Sequence, residues 1–160
     1  MKLPERKHTR LKNYDYSQNG AYFVTICAAG RKQILSEIVG QAAPCLPQIK
    51  LTKIGKVTEK YIKNINNVYK HINVDKYVIM PDHIHIIFSI NHPLGGGQRA
   101  DRPTLNNIVR SIKVMVSKSI GYSVFQSSFF EHVIRNEDDL YETRKYIENN
   151  PLKWLITKTE

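Results

Sequence analysis

The sequence has few of the residues that define disulfide-rich, zinc-binding or membrane-spanning proteins. Its 160 residues include two cysteines, Cys27 and Cys45, too few for a disulfide scaffold or a cysteine-based zinc site. No apolar run approaches the roughly 20 residues that a transmembrane helix needs. The first 13 residues also lack the apolar stretch of a secretory signal. We therefore expect a cytoplasmic protein with reduced thiols.

Acidic residues are scarce relative to basic ones. Lysine and arginine number 24 against 14 aspartates and glutamates, which gives a net charge of +10. The basic excess lies in residues 1–13, 50–76 and 99–118, whereas residues 131–160 are net acidic. Such an excess favours a nucleic-acid partner, because each neutralised phosphate releases counterions. A basic surface that only keeps the protein soluble is the alternative.

The length predicts a single domain over residues 1–160. We expect a basic N-terminal arm over residues 1–13. Two segments rich in proline, glycine and glutamine, 39–48 and 91–103, are typical of surface loops, and we expect the second to be flexible.

Between these loops the apolar periodicity predicts the secondary structure. Alternation and β-branched residues predict strands over 21–28, 74–80, 83–90 and 129–134. Helical spacing predicts helices over 50–67, over 105–120 between a Thr104 cap and a Gly121 stop, and from an Asn136 cap to about Asn150, before Pro151. The order β-α-β-β-α-β-α predicts an α+β fold. It is a ferredoxin-like (split β-α-β) antiparallel sheet with helices on one face and an added C-terminal helix.

Two histidines follow the turn Pro81-Asp82. Residues two apart on a strand share a face, so His83 and His85 should stand side by side, with Ile84 pointing into the core. Two such imidazoles can chelate one divalent cation. An isolated pair is more often two surface histidines beside a turn, so a metal site needs further ligands.

The C-terminal helix offers a phenol and a carboxamide on one face. Tyr146 and Asn150 are four residues apart, hence one above the other. A tyrosine hydroxyl can attack a phosphodiester, and an asparagine oxygen is a hard metal ligand. Core packing explains Tyr146 equally well, and a C-cap explains Asn150. Tyr141 lies roughly 140° away around the helix and is a poor match.

Four segments together carry a family resemblance. They are RLKNYDYSQNGAYFVTIC (10–27), MPDHIH (80–85), FFEHVIRNEDDL (129–140) and KYIENNPLKW (145–154). The chain resembles the single-tyrosine HUH transposases, and the REP-associated tyrosine transposases above all. The resemblance implies cleavage and rejoining of single-stranded DNA at or near hairpins with Mg or Mn. Matched residue by residue, it implies metal ligands at His83, His85 and Asn150 and a nucleophile at Tyr146; many relatives carry Gln at the Asn150 position.

The resemblance implies transesterification. Tyr146 would form a 5′-phosphotyrosine and leave a free 3′-hydroxyl, and a second strand end would reverse the step. The chain departs from the family at Phe125-Gln126-Ser127, where relatives commonly carry Trp-Gln-Arg. The metal and basic side chains would neutralise the phosphates. Each of these basic side chains can equally lie on a solvated helix face. The predicted DNA-binding residues are Arg10, Lys12, Lys53, Lys56, Lys60, Lys63, Arg110, Lys113 and Lys118.

Two other functions stay open from the sequence. A ferredoxin-like sheet also serves non-catalytic nucleic-acid binders, although the aromatic RNP1-type signature is absent here. A metal-dependent phosphodiesterase that uses water would not need Tyr146. Tyr14, Tyr16 and Tyr22 are candidates for stacking on unpaired bases, with core packing as the alternative for Tyr22. Relatives include monomers and dimers, so a homodimer stays open.

Overall fold

The structure, a computed structural model, describes residues 10–40, 46–95 and 102–159. Of the predicted basic arm it includes only residues 10–13. Residues 41–45 of the predicted loop 39–48, Cys45 among them, and residues 96–101 of the predicted loop 91–103 lie outside the described residues.

Strands and helices alternate along the described chain. Within these residues no helix combines the length and apolar character needed to cross a membrane. The elements are β1 (Gly20–Cys27), a 3₁₀ turn (Ala29–Arg31), β2 (Ser36–Val39), β3 (Gln48–Leu51), α1 (Lys53–Val68), β4 (Ile72–Ile79), β5 (His83–Ile90), α2 (Leu105–Ile120), β6 (Phe130–Ile134) and α3 (Glu137–Thr159).

The main sheet has four antiparallel strands in the order β4-β5-β1-β6. The first and last strands of the β-α-β-β-α-β unit are neighbours, and its second strand, β4, forms an edge. This topology confirms the predicted ferredoxin-like fold. In the central pair, Thr25 stands opposite His85 and Cys27 opposite His83.

Strand alternation divides the sheet into two covered faces. Ile84 and Ile86 belong to the larger core, which the sheet shares with α1 and α2. On the opposite face Phe23 and Ile87 form a smaller core with Ile147 of α3. The histidines point away from Ile84 as expected, but their face is not a free surface, because α3 covers it and buries β5 on both sides.

The structure also corrects the predicted end of α3. The helix runs through Pro151 and ends at Thr159, not near Asn150. An internal proline removes one backbone donor and crowds the preceding turn, at a cost of about 3 kcal/mol. Trp154 offsets part of this cost because it packs against the smaller core. Tertiary contacts thus override the local preference.

The structure contains a short hairpin that the sequence does not predict. Strands β2 and β3 pair antiparallel, with Ser36 opposite Leu51. Residues 50 and 51 are therefore strand rather than helix, and α1 begins at Lys53, where the Thr52 hydroxyl accepts a bond from the Gly55 amide. Leu51 fits the helical apolar spacing of α1, which explains the error.

The predicted caps of the other helices are confirmed. The Thr104 hydroxyl accepts from the Asn107 amide, and Gly121 ends α2 with φ of 96°. The Asn136 side chain accepts from the Asp139 amide at 2.8 Å.

Gly55 lets α1 approach the Leu35 carbonyl more closely than a residue with a side chain would allow. A Cβ there would lie 2.0 Å from the Leu35 carbonyl oxygen, which Thr52 already holds by two hydrogen bonds. We expect Gly55→Ala to lower the free energy of unfolding by about 3 kcal/mol in urea denaturation, since the backbone must shift. Lys56→Ala, at the exposed neighbouring position, should change it little. A Gly55→Ala protein stabilised by about 1 kcal/mol, as helix propensity alone predicts, would contradict the close approach.

Candidate functional site

The two histidines of β5 face each other beneath α3. Their Nε2 atoms are 3.0 Å apart, and the two residues are only 8% and 4% exposed. His83 Nδ1 lies 2.6 Å from the Asp82 carboxylate and His85 Nδ1 lies 2.8 Å from the Thr25 hydroxyl. A carboxylate only accepts, so His83 Nδ1 donates to Asp82, and His83 Nε2 is the ring nitrogen that faces His85.

This arrangement fits a divalent cation. Two nitrogen ligands at about 2.1 Å from one metal and at right angles to each other stand about 3.0 Å apart. Metal-bound imidazoles usually have the other ring nitrogen fixed by a hydrogen bond, as Asp82 and Thr25 provide here. Burial, and then the charges of His83 and Arg31, lowers the pKa of His85 to about 3, so the ring is neutral as a ligand must be.

The remaining donors of such a site must be of another kind. The described residues contain no cluster of three or more His, Cys, Asp or Glu side chains that could hold a metal. A carboxamide, water and substrate oxygens are left as ligands, which is the donor set that Mg²⁺ and Mn²⁺ accept.

Asp82 is itself held in place. Arg31 Nε lies 3.2 Å from its second carboxylate oxygen, and Arg31 Nη1 donates to Cys27 Sγ at 2.8 Å. Arg31 adopts φ of 55° in the turn after β1, and its guanidinium lies beside Asp82 in the turn between β4 and β5. From the sequence, Pro81-Asp82 is predicted only as a turn, and neither Asp82 nor Arg31 is a candidate site residue. The carboxylate next to His83 was the available signal, whereas Arg31 depends on tertiary packing.

α3 brings one tyrosine to this pair. The Tyr146 ring centre lies 5.3 Å from that of His85 and 5.9 Å from that of Phe23, and the residue is 42% exposed. Tyr141 is 54% exposed and lies under Lys145, whose Nζ is 4.4 Å from the ring centre. The structure thus places Tyr146 beside the histidines, on the face that helical spacing predicts.

Asn150 and two unpredicted lysines continue the site along α3. Asn150 is buried and shares a groove of about 330 Å³ with Tyr146. Lys153 Nζ lies 4.9 Å from the Tyr146 ring centre. Lysines at 153 and 158 were missed because the helix was expected to stop near Asn150. We call this the basic groove; its lining residues are Tyr146, Asn150, Lys153, Trp154, Thr157 and Lys158.

Most of the predicted DNA-binding residues lie elsewhere. They project from α1 and α2, which cover the sheet face opposite Tyr146. The structure therefore does not bring them to the phenol, and their contact with DNA stays a prediction. These exposed residues are Lys53, Lys56, Lys60, Lys63, Arg110 and Lys118.

The described contacts of Lys113 give it a structural role. Its ammonium donates to the carbonyls of Gln126, Ser127 and Ser128 at 2.8, 3.2 and 2.9 Å, which takes up its three protons. Burial lowers the pKa of Lys113 to about 8, so the group is still charged at neutral pH. These bonds hold residues 126–128 against α2, in the segment where the chain departs from the Trp-Gln-Arg of its relatives.

The two N-terminal candidates for DNA binding, Arg10 and Lys12, differ in their contacts. Arg10 donates to the Asn106 side chain at 3.1 Å and lies over the Phe129 ring at 5.0 Å, while Lys12 is exposed. Their roles toward DNA stay predictions. Tyr22 is fully buried and donates to the Gln18 carbonyl, so it belongs to the core and cannot stack on a base.

Comparison with known proteins adds a relative. No family model matches the chain. An uncharacterized protein of Haemophilus influenzae is 30% identical over 170 residues, which span 95% of this chain and 91% of that protein. The chain belongs to its family.

Solved structures identify the fold. A REP-associated tyrosine transposase bound to a REP hairpin aligns with a TM-score of 0.64 and 22% identity, over 91% of this chain and 73% of that one. The predicted resemblance to these transposases is confirmed at the level of the fold. A candidate transposase of Deinococcus radiodurans R1 aligns with a TM-score of 0.48 and 13% identity, over 88% of this chain and 95% of that one.

The role of Lys113 can be tested by stability. Lys113→Met removes three hydrogen bonds to carbonyls, and we expect it to lower the free energy of unfolding by about 1–2 kcal/mol. Lys118→Met, exposed on the same helix, should change it by less than about 0.5 kcal/mol. Equal stability of the two variants in urea denaturation, with single-stranded DNA binding lost only in the first, would contradict the structural role.

Proposed function

We propose that the protein cleaves and rejoins single-stranded DNA through a 5′-phosphotyrosine on Tyr146. The observation that carries this proposal is the position of a partly exposed phenol beside a buried pair of imidazoles. In the proposed step Tyr146 Oη loses its proton and bonds to phosphorus, and the bond from phosphorus to O3′ breaks. The 3′-oxygen takes up one proton, so the proton count balances, and it leaves as a hydroxyl. A second 3′-hydroxyl reverses the reaction, so no activated water is required.

A divalent cation, Mg or Mn, would be held by the Nε2 atoms of His83 and His85, with the Asn150 oxygen as the proposed third ligand. Bound there, it would supply Lewis-acid polarisation of the scissile phosphate. Asp82 and Thr25 would keep the two imidazoles in the ligating tautomer and orientation.

The basic groove supports binding of the DNA backbone next to Tyr146. Lys153 lies over the tyrosine ring and Lys158 Nζ lies 5.1 Å from the Trp154 ring centre. Lys158 Nζ also donates to the Gln33 side chain at 3.1 Å. Both ammonium groups are exposed and can neutralise phosphates, and Trp154 offers an apolar surface beside them. The fold neighbour is a transposase bound to a REP hairpin, which supports single-stranded or hairpin DNA as the partner proposed here.

Tyrosine substitutions test the nucleophile. Tyr146→Phe removes the attacking oxygen, so we expect it to abolish covalent protein–DNA adducts on denaturing gels with labelled single-stranded oligonucleotides. Binding of the same oligonucleotides should survive. Tyr141→Phe, five residues earlier on the same helix, should form adducts as the unchanged protein does.

Three results would contradict this mechanism. Adducts formed by Tyr146→Phe would place the nucleophile elsewhere. Cleavage without any adduct would favour the water-using phosphodiesterase. Binding by the unchanged protein without cleavage, in Mg²⁺ or Mn²⁺, would favour the non-catalytic binder.

Metal binding can be measured apart from activity. Titration with Mn²⁺, followed by electron paramagnetic resonance, should show binding that is lost in His85→Ala. Asp82→Asn keeps both ligands but loosens His83, so affinity should fall about 10- to 100-fold. His71→Ala, an exposed histidine outside the site, is the control and should bind as the unchanged protein does. Equal Mn²⁺ affinity in His85→Ala would exclude the proposed ligand.

A further inference from the structure

A second groove adjoins Tyr146 toward the N-terminal end of α3. It has a volume of about 300 Å³ and runs between the helix and the edge strand β6. It shares only Tyr146 with the basic groove. We call it the aromatic groove; its lining residues are Phe23, Phe130, His132, Asp139, Glu142, Thr143 and Tyr146.

The floor of the aromatic groove is built to contact a flat apolar ring. Phe23 is almost fully buried at its base and meets the Tyr146 ring edge-on. Phe130 stands on the edge strand and is 52% exposed, although a large aromatic side chain gains from being covered. Exposed aromatic side chains of this kind are the platforms on which unpaired bases stack.

The wall of the aromatic groove is acidic in a protein that is strongly basic overall. Asp139 and Glu142 both project from α3 into its lining. His132 and the Arg135 amide hold Asp139 in place at 2.9 and 3.1 Å. Burial alone would raise the pKa of Asp139, but these hydrogen bonds bring it below its ordinary value, so the carboxylate is charged at neutral pH.

This charge decides which part of a DNA strand fits. Two carboxylates repel a phosphate, so the sugar–phosphate backbone does not belong in the aromatic groove. Carboxylates accept hydrogen bonds from the exocyclic amino groups of bases, as in acidic contacts to cytosine N4. A volume near 300 Å³ is at the lower limit of ligand sites and suits one base rather than several.

We propose that the aromatic groove binds one unpaired base next to the scissile phosphate and prefers a base with an exocyclic amino group to thymine. Phe130 would stack on the base, and Glu142 would accept from its amino group. The location beside the scissile phosphate rests on the proposed function of Tyr146. The proposal makes Phe130 and Glu142 specificity-determining residues for that reaction.

Binding of single-stranded homopolymers tests the preference. Twelve-nucleotide deoxycytidine, deoxyadenosine and thymidine oligomers are titrated by fluorescence anisotropy at one salt concentration. We expect the unchanged protein to bind the cytosine and adenine oligomers at least about threefold more tightly than the thymine oligomer. Glu142→Gln should bind all three more tightly, because one repulsive charge is gone while an acceptor oxygen remains. Glu142→Leu removes the acceptor as well and should lose most of the preference.

Matched variants separate the groove from general electrostatics. Asp138→Asn removes the same charge from an exposed position of α3 outside the groove and should keep the preference. Phe130→Ala should weaken binding of all three oligomers about fivefold or more, whereas Phe130→Tyr keeps the ring and should bind as the unchanged protein does. Circular dichroism checks that the Phe130 variants remain folded.

Failure of this proposal is distinct from failure of the proposed function. Absence of a base preference, or a preference that survives both Glu142→Leu and Phe130→Ala, would overturn the groove assignment even if Tyr146 forms adducts. Loss of the preference in Asp138→Asn as large as in Glu142→Leu would also overturn it. A groove-dependent preference in a protein that forms no adducts would support base binding and reject the chemistry.

Discussion

The site depends on the packing of α3 against the sheet face that carries the histidines. Ile147 belongs to the smaller core under the helix, and Trp154 packs against this core about two turns further on. Two ion pairs join the helix to β4: Arg144 with Asp75 at 2.6 Å, and Lys76 with Glu148. A shift of α3 by one turn would move the Tyr146 phenol by about 5.4 Å, about as far as its ring centre now lies from that of His85.

Local sequence signals predict the elements whose periodicity and caps are self-contained. The strand His83–Ile90 matches its prediction at both ends, and α2 lies between its Thr104 cap and Gly121 as expected. Period-two alternation also places His83 and His85 on one face, and helical spacing separates Tyr146 from Tyr141. These features need only neighbours within a few residues, so a single sequence contains them.

Features that depend on distant contacts were not predictable in this way. The end of α3 is decided by what Trp154 packs against, not by the local preference of residues before proline. Arg31 reaches Asp82 only once β1 and β5 pair. Lys113 looks like any basic residue on a helix face, yet three carbonyls from the segment before β6 surround its ammonium.

The charges along α3 have two explanations that can be separated by position. Acids early and bases late in a helix stabilise it against its own dipole. Glu137 and Asp138 in the first turn already serve that purpose. The dipole does not require charges on one particular face, yet Glu142, Tyr146 and Lys153 are four and seven residues apart and so share a face. On that face the charge is negative on the N-terminal side of Tyr146, in the aromatic groove, and positive on the C-terminal side, in the basic groove. We therefore expect a DNA strand that lies along α3 to place a base on the N-terminal side of Tyr146 and its sugar–phosphate backbone on the C-terminal side.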